Sequence, residues 1–336
     1  MIQILTYNEI NKQQWQLLVE QSATATWFQT PEAYEFYASL PAEMQPFAVG
    51  VENQGELRAV CVGYITQEPN AIKQYLTCRA IVVGGPVIAN DATDDEVAAL
   101  LKAVRAMESN CQPPIANRPI YIETRNFNDY SRWKSVFESA GFAYKEHYDI
   151  HVHCNADHKM SERRQRELKR AIKNGSTVAQ AQSEQEIRDW YQILHRLYRE
   201  NVRTPLFSEE FFLQFYRNGV GKYLLVKHEG KVIGGMMCPV FDSKAIYEWY
   251  VCGLDEEYKD LSPSVVATHA AIEYAKENGL PLFDFMGAGE PEIPYGVRDF
   301  KMEFGGELRE YGRFLCIRKP LLYWIGKIGV KWLKRS

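Results

Sequence analysis

The chain has 336 residues, of which 46% are apolar and 13% aromatic, enough for one large core or two medium ones. A formal net charge of −4 excludes a surface that attracts polyanions as a whole, so any nucleic-acid contact must rest on a local basic patch. The seven cysteines are scattered without a Cys-x-x-Cys pair, which argues for reduced thiols rather than a disulfide scaffold. The N-terminus lacks the basic and apolar regions of a signal peptide, and no apolar run is long enough to span a bilayer. The expectation is a cytoplasmic protein.

Residues 1–6 alternate apolar and polar and read as a strand, followed by a helix over Asn8–Gln21. Thr30 and Pro31 open a second helix as cap and first residue. Pro46–Val51 and Leu57–Thr66 flank Gln54-Gly55 and predict a hairpin. Ala80–Ile88 is a strand interrupted by Gly84-Gly85-Pro86. Asp91–Asn110 has an acidic start and helical spacing of Val97, Leu100, Leu101 and Val104. Pro119–Thr124 predicts a strand, Tyr130–Ser139 a short helix stopped by Gly141, and Phe142–Cys154 one strand at the edge of this unit. Seven of the fifteen residues in Lys159–Lys173 are basic, and this segment reads as a boundary helix ending at Asn174-Gly175.

The second half repeats the order. Thr177–Ala181 is a strand and Glu184–Glu200 a strong amphipathic helix; Ser208 caps another. GKYLLVKHEGKVIGGMMCPVF is a hairpin around Glu229-Gly230. Ile246–Cys252, Pro263–Asn278 and Leu282–Met286 read as strand, helix and strand. The stretch from Phe283 to Phe314 then combines a long glycine- and proline-shaped loop, a short helix, Gly305-Gly306 and a last strand. Long loops bracketed by strong elements are usually functional. Side by side, PFAVGVENQGELRAVCVGYI pairs with KYLLVKHEGKVIGGMMCPVF, and WKSVFESAGF with VRDFKMEFGG. A duplicated unit of meander and segregated helices predicts an α+β fold with mixed, mostly antiparallel sheets. The expected boundaries are 1–156, a basic linker helix over 157–175, 176–318, and a C-terminal helix over 319–336.

WFQTPEAYEFY, GGPVI, SERRQRELKRAIKNG and FDFMGAG…YGVRDFKMEFGGEL, in this order across nearly the whole chain, resemble the Fem family of peptidoglycan interpeptide-bridge aminoacyltransferases. The resemblance implies two tandem GNAT-like (acyl-CoA N-acyltransferase fold) domains. It also implies an aminoacyl-tRNA donor and a peptidoglycan precursor as acceptor. Two features depart from the family: Gly84-Gly85-Pro86 stands where Arg-Gly-Pro is frequent, and the long helical arm of some members is missing. A Phe-Lys pair is implicated in catalysis in the family, and Phe300-Lys301 matches it.

Aminoacyl transfer needs an amine nucleophile, an acceptor for its proton and a cation or donors for the oxyanion. Lys301 is the candidate cation, against the alternative of a solvated helical lysine, with Arg298 behind it. Asp284 alternates with Phe283 and Phe285 and so faces the opposite side of its strand, where it would serve as base or cap the following loop. Glu248 is a similar candidate. Arg203 is a candidate for an acceptor diphosphate, and Tyr250 and Tyr295 for lining the cleft. The segment GLDEEYKDLSPSVVATHA, where an acyl-CoA enzyme of this fold would cradle a pyrophosphate, has one glycine and four acids. That disfavours acyl-CoA, and no cofactor is expected. His147, His151, His153, Cys154 and His158 lack a second ligand group at zinc spacing, so no metal is expected. The basic segment Lys159–Lys173 would meet tRNA phosphates or stand as a solvated helix.

The tail RKPLLYWIGKIGVKWLKRS has six basic residues and no acid; Leu321, Ile325, Ile328 and Trp332 fall on one helical face and Lys327, Lys331 and Lys334 on another. It predicts an interfacial helix on an anionic inner leaflet, or one docked on the protein itself. Two other functions stay open: an N-acyltransferase using acyl-CoA or acyl carrier protein, and a non-catalytic membrane-associated scaffold.

Overall fold

The computed structural model describes residues 1–108, 118–155, 159–202 and 205–333. The first part of the chain runs β1 (Ile2–Thr6), α1 (Lys12–Gln21), α2 (Pro31–Ala38), β2 (Met44–Asn53), β3 (Glu56–Thr66), α3 (Ala71–Thr77), β4 (Ala80–Gly84), β5 (Val87–Ile88), α4 (Asp94–Ala106), β6 (Tyr121–Asn126), α5 (Lys134–Ser139) and β7 (Ala143–Lys145). Then follow β8 (Tyr148–His153), α6 (Glu162–Lys173), β9 (Thr177–Gln180), α7 (Glu184–Leu197), α8 (Glu209–Arg217), β10 (Gly221–His228), β11 (Lys231–Phe241), β12 (Ala245–Tyr247) and β13 (Tyr250–Gly253). The remaining elements are α9 (Pro263–Glu277), β14 (Leu282–Asp284), α10 (Gly296–Met302), β15 (Glu307–Glu310), β16 (Arg313–Ile317) and α11 (Pro320–Leu333). Local chemistry starts the helices: Thr30 caps α2 as expected, Asn11 accepts the first free N–H groups of α1 beyond the predicted start at Asn8, and Thr93 with Glu96 closes a capping box on α4.

The chain forms two compact units, Met1–Glu146 with Tyr311–Ser336, and His147–Glu310. Each is α+β and holds one eight-stranded mixed sheet. In the first unit the order is β1-β2-β3-β4-β6-β16-β7, with β5 also on β3; in the second it is β15-β8-β14-β12-β11-β10-β9, with β13 also on β11. The two orders correspond strand for strand. Each sheet has one parallel pair, β4 with β6 and β12 with β14.

The boundaries differ from the expected ones because two strands change units. Phe142–Cys154 is not a single edge strand. Ala143–Lys145 is largely exposed and pairs with β16 at the rim of the first sheet, whereas Tyr148–His153 is buried on both faces and lies inside the second sheet, between β14 and β15. A strand buried on both faces needs a central place, and β8 finds it there. Likewise β16, expected to end the second unit, sits between β6 and β7 in the first, where Phe314 stacks on Phe137 with ring centroids 4.0 Å apart. The predicted linker helix is an integral helix of the second unit. Leu168 and Ala171 enter its core, and Arg164 is buried over the Phe300 ring at 4.4 Å while pairing with Glu303 and Glu167.

The Gly84-Gly85-Pro86 departure has a local cause. Both glycines have positive φ, and a side chain at either would strike Thr26 or Tyr130; the Tyr130 hydroxyl donates to the Pro86 carbonyl at 2.7 Å.

Candidate active site

The parallel pair of the first unit is zipped over five residue pairs, Ala80 with Ile122 through Gly84 with Asn126. That of the second covers three, and ends where Tyr247 meets Asp284. Beyond it, β13 stays on β11 while Phe285 and Ala288 turn to β8, bonding the Ile150 and Tyr148 carbonyls at 3.0 and 2.7 Å. The strands part, and charged side chains collect at the parting. Asp149, His151, Glu248, Asp284 and Lys301 are all buried; elsewhere among the described residues only Glu96 and Arg164 are buried carboxylates or cations.

Alternation along β8 sends Ile150 and Val152 into the core and Asp149 and His151 to the other face, opposite Asp284 of β14. His151 Nε2 lies 3.4 Å from Asp284 Oδ2 and 3.6 Å from Asp149 Oδ2. Burial alone would strip the imidazole of its proton, but the two carboxylates override it and push its pKa up to about 10. Burial also opposes charge on Asp149; His151 and the N–H groups of Gly287 (2.8 Å) and Ile150 (2.7 Å) nevertheless hold it below the usual carboxylate range. Asp284 receives one N–H, from Met286 at 2.7 Å, and burial with the neighbouring Asp149 charge raises it to about 7. Asp284 Oδ2 and Asp149 Oδ2 both face the His151 ring. The ligand-type atoms of the three residues lie within 4.8 Å of one another, the spacing of a cation site. His151 would hold a cation through its neutral ring; without one, its ring proton faces the two carboxylates.

Lys301 lies on α10 with its ammonium inside the unit. It donates to the Phe285 carbonyl at 2.6 Å and the Gly287 carbonyl at 2.9 Å, and pairs with Glu248 Oε1 at 3.1 Å. These three acceptors match the three protons of an ammonium. Burial raises the Glu248 carboxyl against the pull of Lys301, and Asp149 adds to the rise. Gly287 joins the two halves of the cluster: its N–H goes to Asp149 and its carbonyl to Lys301, at a φ of 106° that a side chain resists.

Lys301, Glu248 and Asp284 are therefore brought together, and the other sequence candidates are not. Phe300 packs under Arg164 and beside Phe304. Arg298 organises the loop, donating to the carbonyls of Ala288 (2.7 Å), Glu290 (2.5 Å) and Ile293 (3.1 Å). Tyr295 is exposed beside Gly289. Tyr250 joins a ring cluster with Tyr198, Phe211 and Phe212. Arg203 lies outside the described residues, as does His158. Asp149 was not singled out in the sequence, and His151 was weighed there only as a metal ligand. Their i, i+2 spacing was visible, but only the pairing of β8 with β14 brings them to Asp284.

At the N-terminus of α9, Asp255 accepts from the Ser264 N–H at 3.1 Å and from its hydroxyl. A carboxylate thus occupies the place where this kind of helix would take a phosphate. A groove of about 640 Å³ runs along α7 and the β10–β11 turn, with Arg196, Arg199 and Lys231 facing Glu186, Asp189 and Glu257; no member of the buried cluster lines it. On α6, Arg163, Arg164, Arg166 and Arg170 are engaged with acids of the same unit, whereas Lys159, Lys169 and Lys173 are exposed and in no ion pair among the described residues.

Two units, each with one parallel strand pair in an otherwise antiparallel sheet, define a tandem GNAT architecture. Residues 159–302 match the family model described as an acetyltransferase (GNAT) domain. The fold is Fem-like: the solved structure of FemX superimposes with a TM-score of 0.70 at 14% identity, covering 96% of this chain and 99% of that one. L-PGS from Bacillus licheniformis gives 0.57 at 14% identity, with 92% of each chain covered. A tandem GNAT protein from the clavulanic acid biosynthesis pathway gives 0.56 at 11%, covering 94% and 98%. No curated protein sequence matches the chain. Residues 159–302 thus carry a GNAT-type acyltransferase domain within a tandem GNAT fold.

Proposed function

We propose that the protein transfers an aminoacyl group from aminoacyl-tRNA to the amine of a peptidoglycan (cell-envelope) precursor peptide. The observation that carries this reading is the Asp255 carboxylate on the N-terminus of α9. It fills the anion position a diphosphate-bearing donor needs and repels that donor, whereas an aminoacyl ester needs no such cradle. FemX as a structural neighbour supports the same direction. In the reaction the acceptor nitrogen attacks the ester carbonyl, the new N–C bond forms, and the C–O bond to the tRNA ribose breaks. The proton leaving nitrogen ends on the ribose oxygen. Asp284, raised to about 7 and facing the His151 ring through Oδ2, is the relay for that proton. Lys301 is the cation, serving the oxyanion when it gives up one of its present acceptors. Phe300 holds α10 on α6, and Glu248 keeps the ammonium in place. Arg298 shapes the acceptor loop, and Tyr295, Tyr250 and Arg203 contact substrate. Lys159, Lys169 and Lys173 form the local patch for tRNA phosphates. A lipid-linked acceptor would place the protein on the inner face of the membrane.

The test is incubation of the purified chain with charged tRNA and with nucleotide- or lipid-linked precursor, followed by mass spectrometry of the precursor. A mass gain of one or more aminoacyl residues that depends on charged tRNA is expected. Acylation that instead depends on acetyl-CoA would replace this reading with that of a CoA-dependent N-acyltransferase.

A further inference from the structure

The first unit presents an apolar surface that its fold leaves uncovered. Helix α11 exposes Leu321, Trp324, Ile325 and Ile328, each more than half accessible. Helix α3 exposes Ile72 and Leu76, which at i, i+4 share one face. The helices touch: Lys319, just before α11, places its ammonium 4.7 Å from the centre of the Tyr75 ring on α3. Large apolar side chains crowded onto two adjoining surface helices mark an interaction site, because a chain that works alone in water rarely leaves such a patch open.

The charge around the patch selects the partner. From Tyr311 onward the sequence contains no acid, and the exposed Lys327 stands beside the apolar residues in a protein of net charge −4, whereas the Lys319 ammonium is buried against Tyr75. Lys327 lies 5.6 Å from the rings of both Tyr323 and Trp324, so cation and aromatics form one group. Apolar side chains, interfacial aromatics and lysines without acids form the pattern of a helix lying in the headgroup region of an anionic bilayer. A protein partner of ordinary mixed charge gives no reason for excluding acids.

We infer that α3 and α11 form a two-helix platform that seats the protein on an anionic lipid surface. Each basic residue at such a surface contributes roughly fivefold to partitioning, and the apolar face contributes through burial among the acyl chains. The platform belongs to the first unit alone and is independent of the chemistry proposed for the second.

Co-sedimentation of the full chain with vesicles of phosphatidylcholine, with and without phosphatidylglycerol, tests this. Binding is expected only with the anionic lipid, and should weaken as salt is raised. Trp324→Glu with Ile328→Glu should lower partitioning at least tenfold. Ile72→Glu should lower it several-fold, an effect that an anchor made of α11 alone would not give. All these positions are exposed, so thermal unfolding of the variants should match the parent, which separates lost binding from lost folding. Equal binding to neutral vesicles, no binding at all, or undiminished binding by the variants would overturn the inference. So would a concentration-dependent dimer in sedimentation that the same substitutions dissolve.

Discussion

Lys301 Nζ stands 3.1 Å from Glu248 Oε1, and both side chains are almost entirely withdrawn from water. The pair bridges the point where the central strands of the second unit part. Replacing Lys301 by Ala leaves a buried carboxylate without its partner and two carbonyls without their donor. Breaking one side of a buried pair costs about 3–5 kcal/mol. Urea denaturation of Lys301→Ala should show a loss of this size, and Glu248→Gln in the same background should restore part of it. A Lys301→Ala protein as stable as the parent would rule out the bridging role.

The buried carboxylate–histidine cluster makes stability depend on pH. With His151 raised to about 10, the folded protein keeps a proton that the unfolded chain releases near its ordinary value of about 6.5. Stability from this residue is complete below that value and falls as pH rises through 10. Asp284, raised to about 7, acts with the same sign at lower pH: the folded state holds a proton that an unfolded aspartate loses near 4. Denaturation measured across pH should therefore show stability declining from mildly acid to alkaline conditions. In Asp284→Asn the part of the decline below neutrality should shrink to the share of Glu248, whose carboxyl is also raised, and the alkaline part should shrink because His151 has lost one of its two carboxylates.

Arg298 gathers carbonyls of the loop through several N–H groups at once, a geometry that the single ammonium of lysine cannot copy. Arg298→Lys should leave the melting temperature within a few degrees of the parent. It should speed proteolytic cleavage within residues 288–294 and reduce transfer about tenfold or more. Equal protease resistance would show that the loop is held by other contacts.

Asp255→Ala removes the loop carboxylate that accepts from the Ser264 N–H at the start of α9. Loss of such a cap costs about 1 kcal/mol, measurable by chemical denaturation. The same variant should bind inorganic phosphate or acetyl-CoA more tightly than the parent in calorimetry, because a repelling charge has left the helix N-terminus. Unchanged affinity would remove the electrostatic argument against a diphosphate donor.

Much of the fold was legible because its signals are local. Hairpin turns at Gln54-Gly55 and Glu229-Gly230, the Thr30 cap of α2, and the periodicity of α4 and α7 each depend on a few neighbouring residues. Lys301, Glu248 and Asp284 were legible as types and positions. The partners of β8 and β16 were not, because strand pairing at long sequence separation leaves no mark in either segment. That single unknown hid the meeting of Asp149 and His151 with Asp284 and moved both boundaries. Phe300 and Arg298 stood in a conspicuous motif, yet one serves helix docking and the other loop shape, a distinction that needs contacts rather than spacing.

The placement of β16 also orders events in time. Synthesis delivers Met1–Glu146 first, but that unit lacks a strand between β6 and β7, and the Phe314 ring that stacks on Phe137, until all of His147–Glu310 has been made. The second unit, continuous in sequence, has every strand it needs before the first does. The part made first is thus finished last. Until then it holds two unpaired strand edges and a gap in its core, the condition in which chains look for foreign partners.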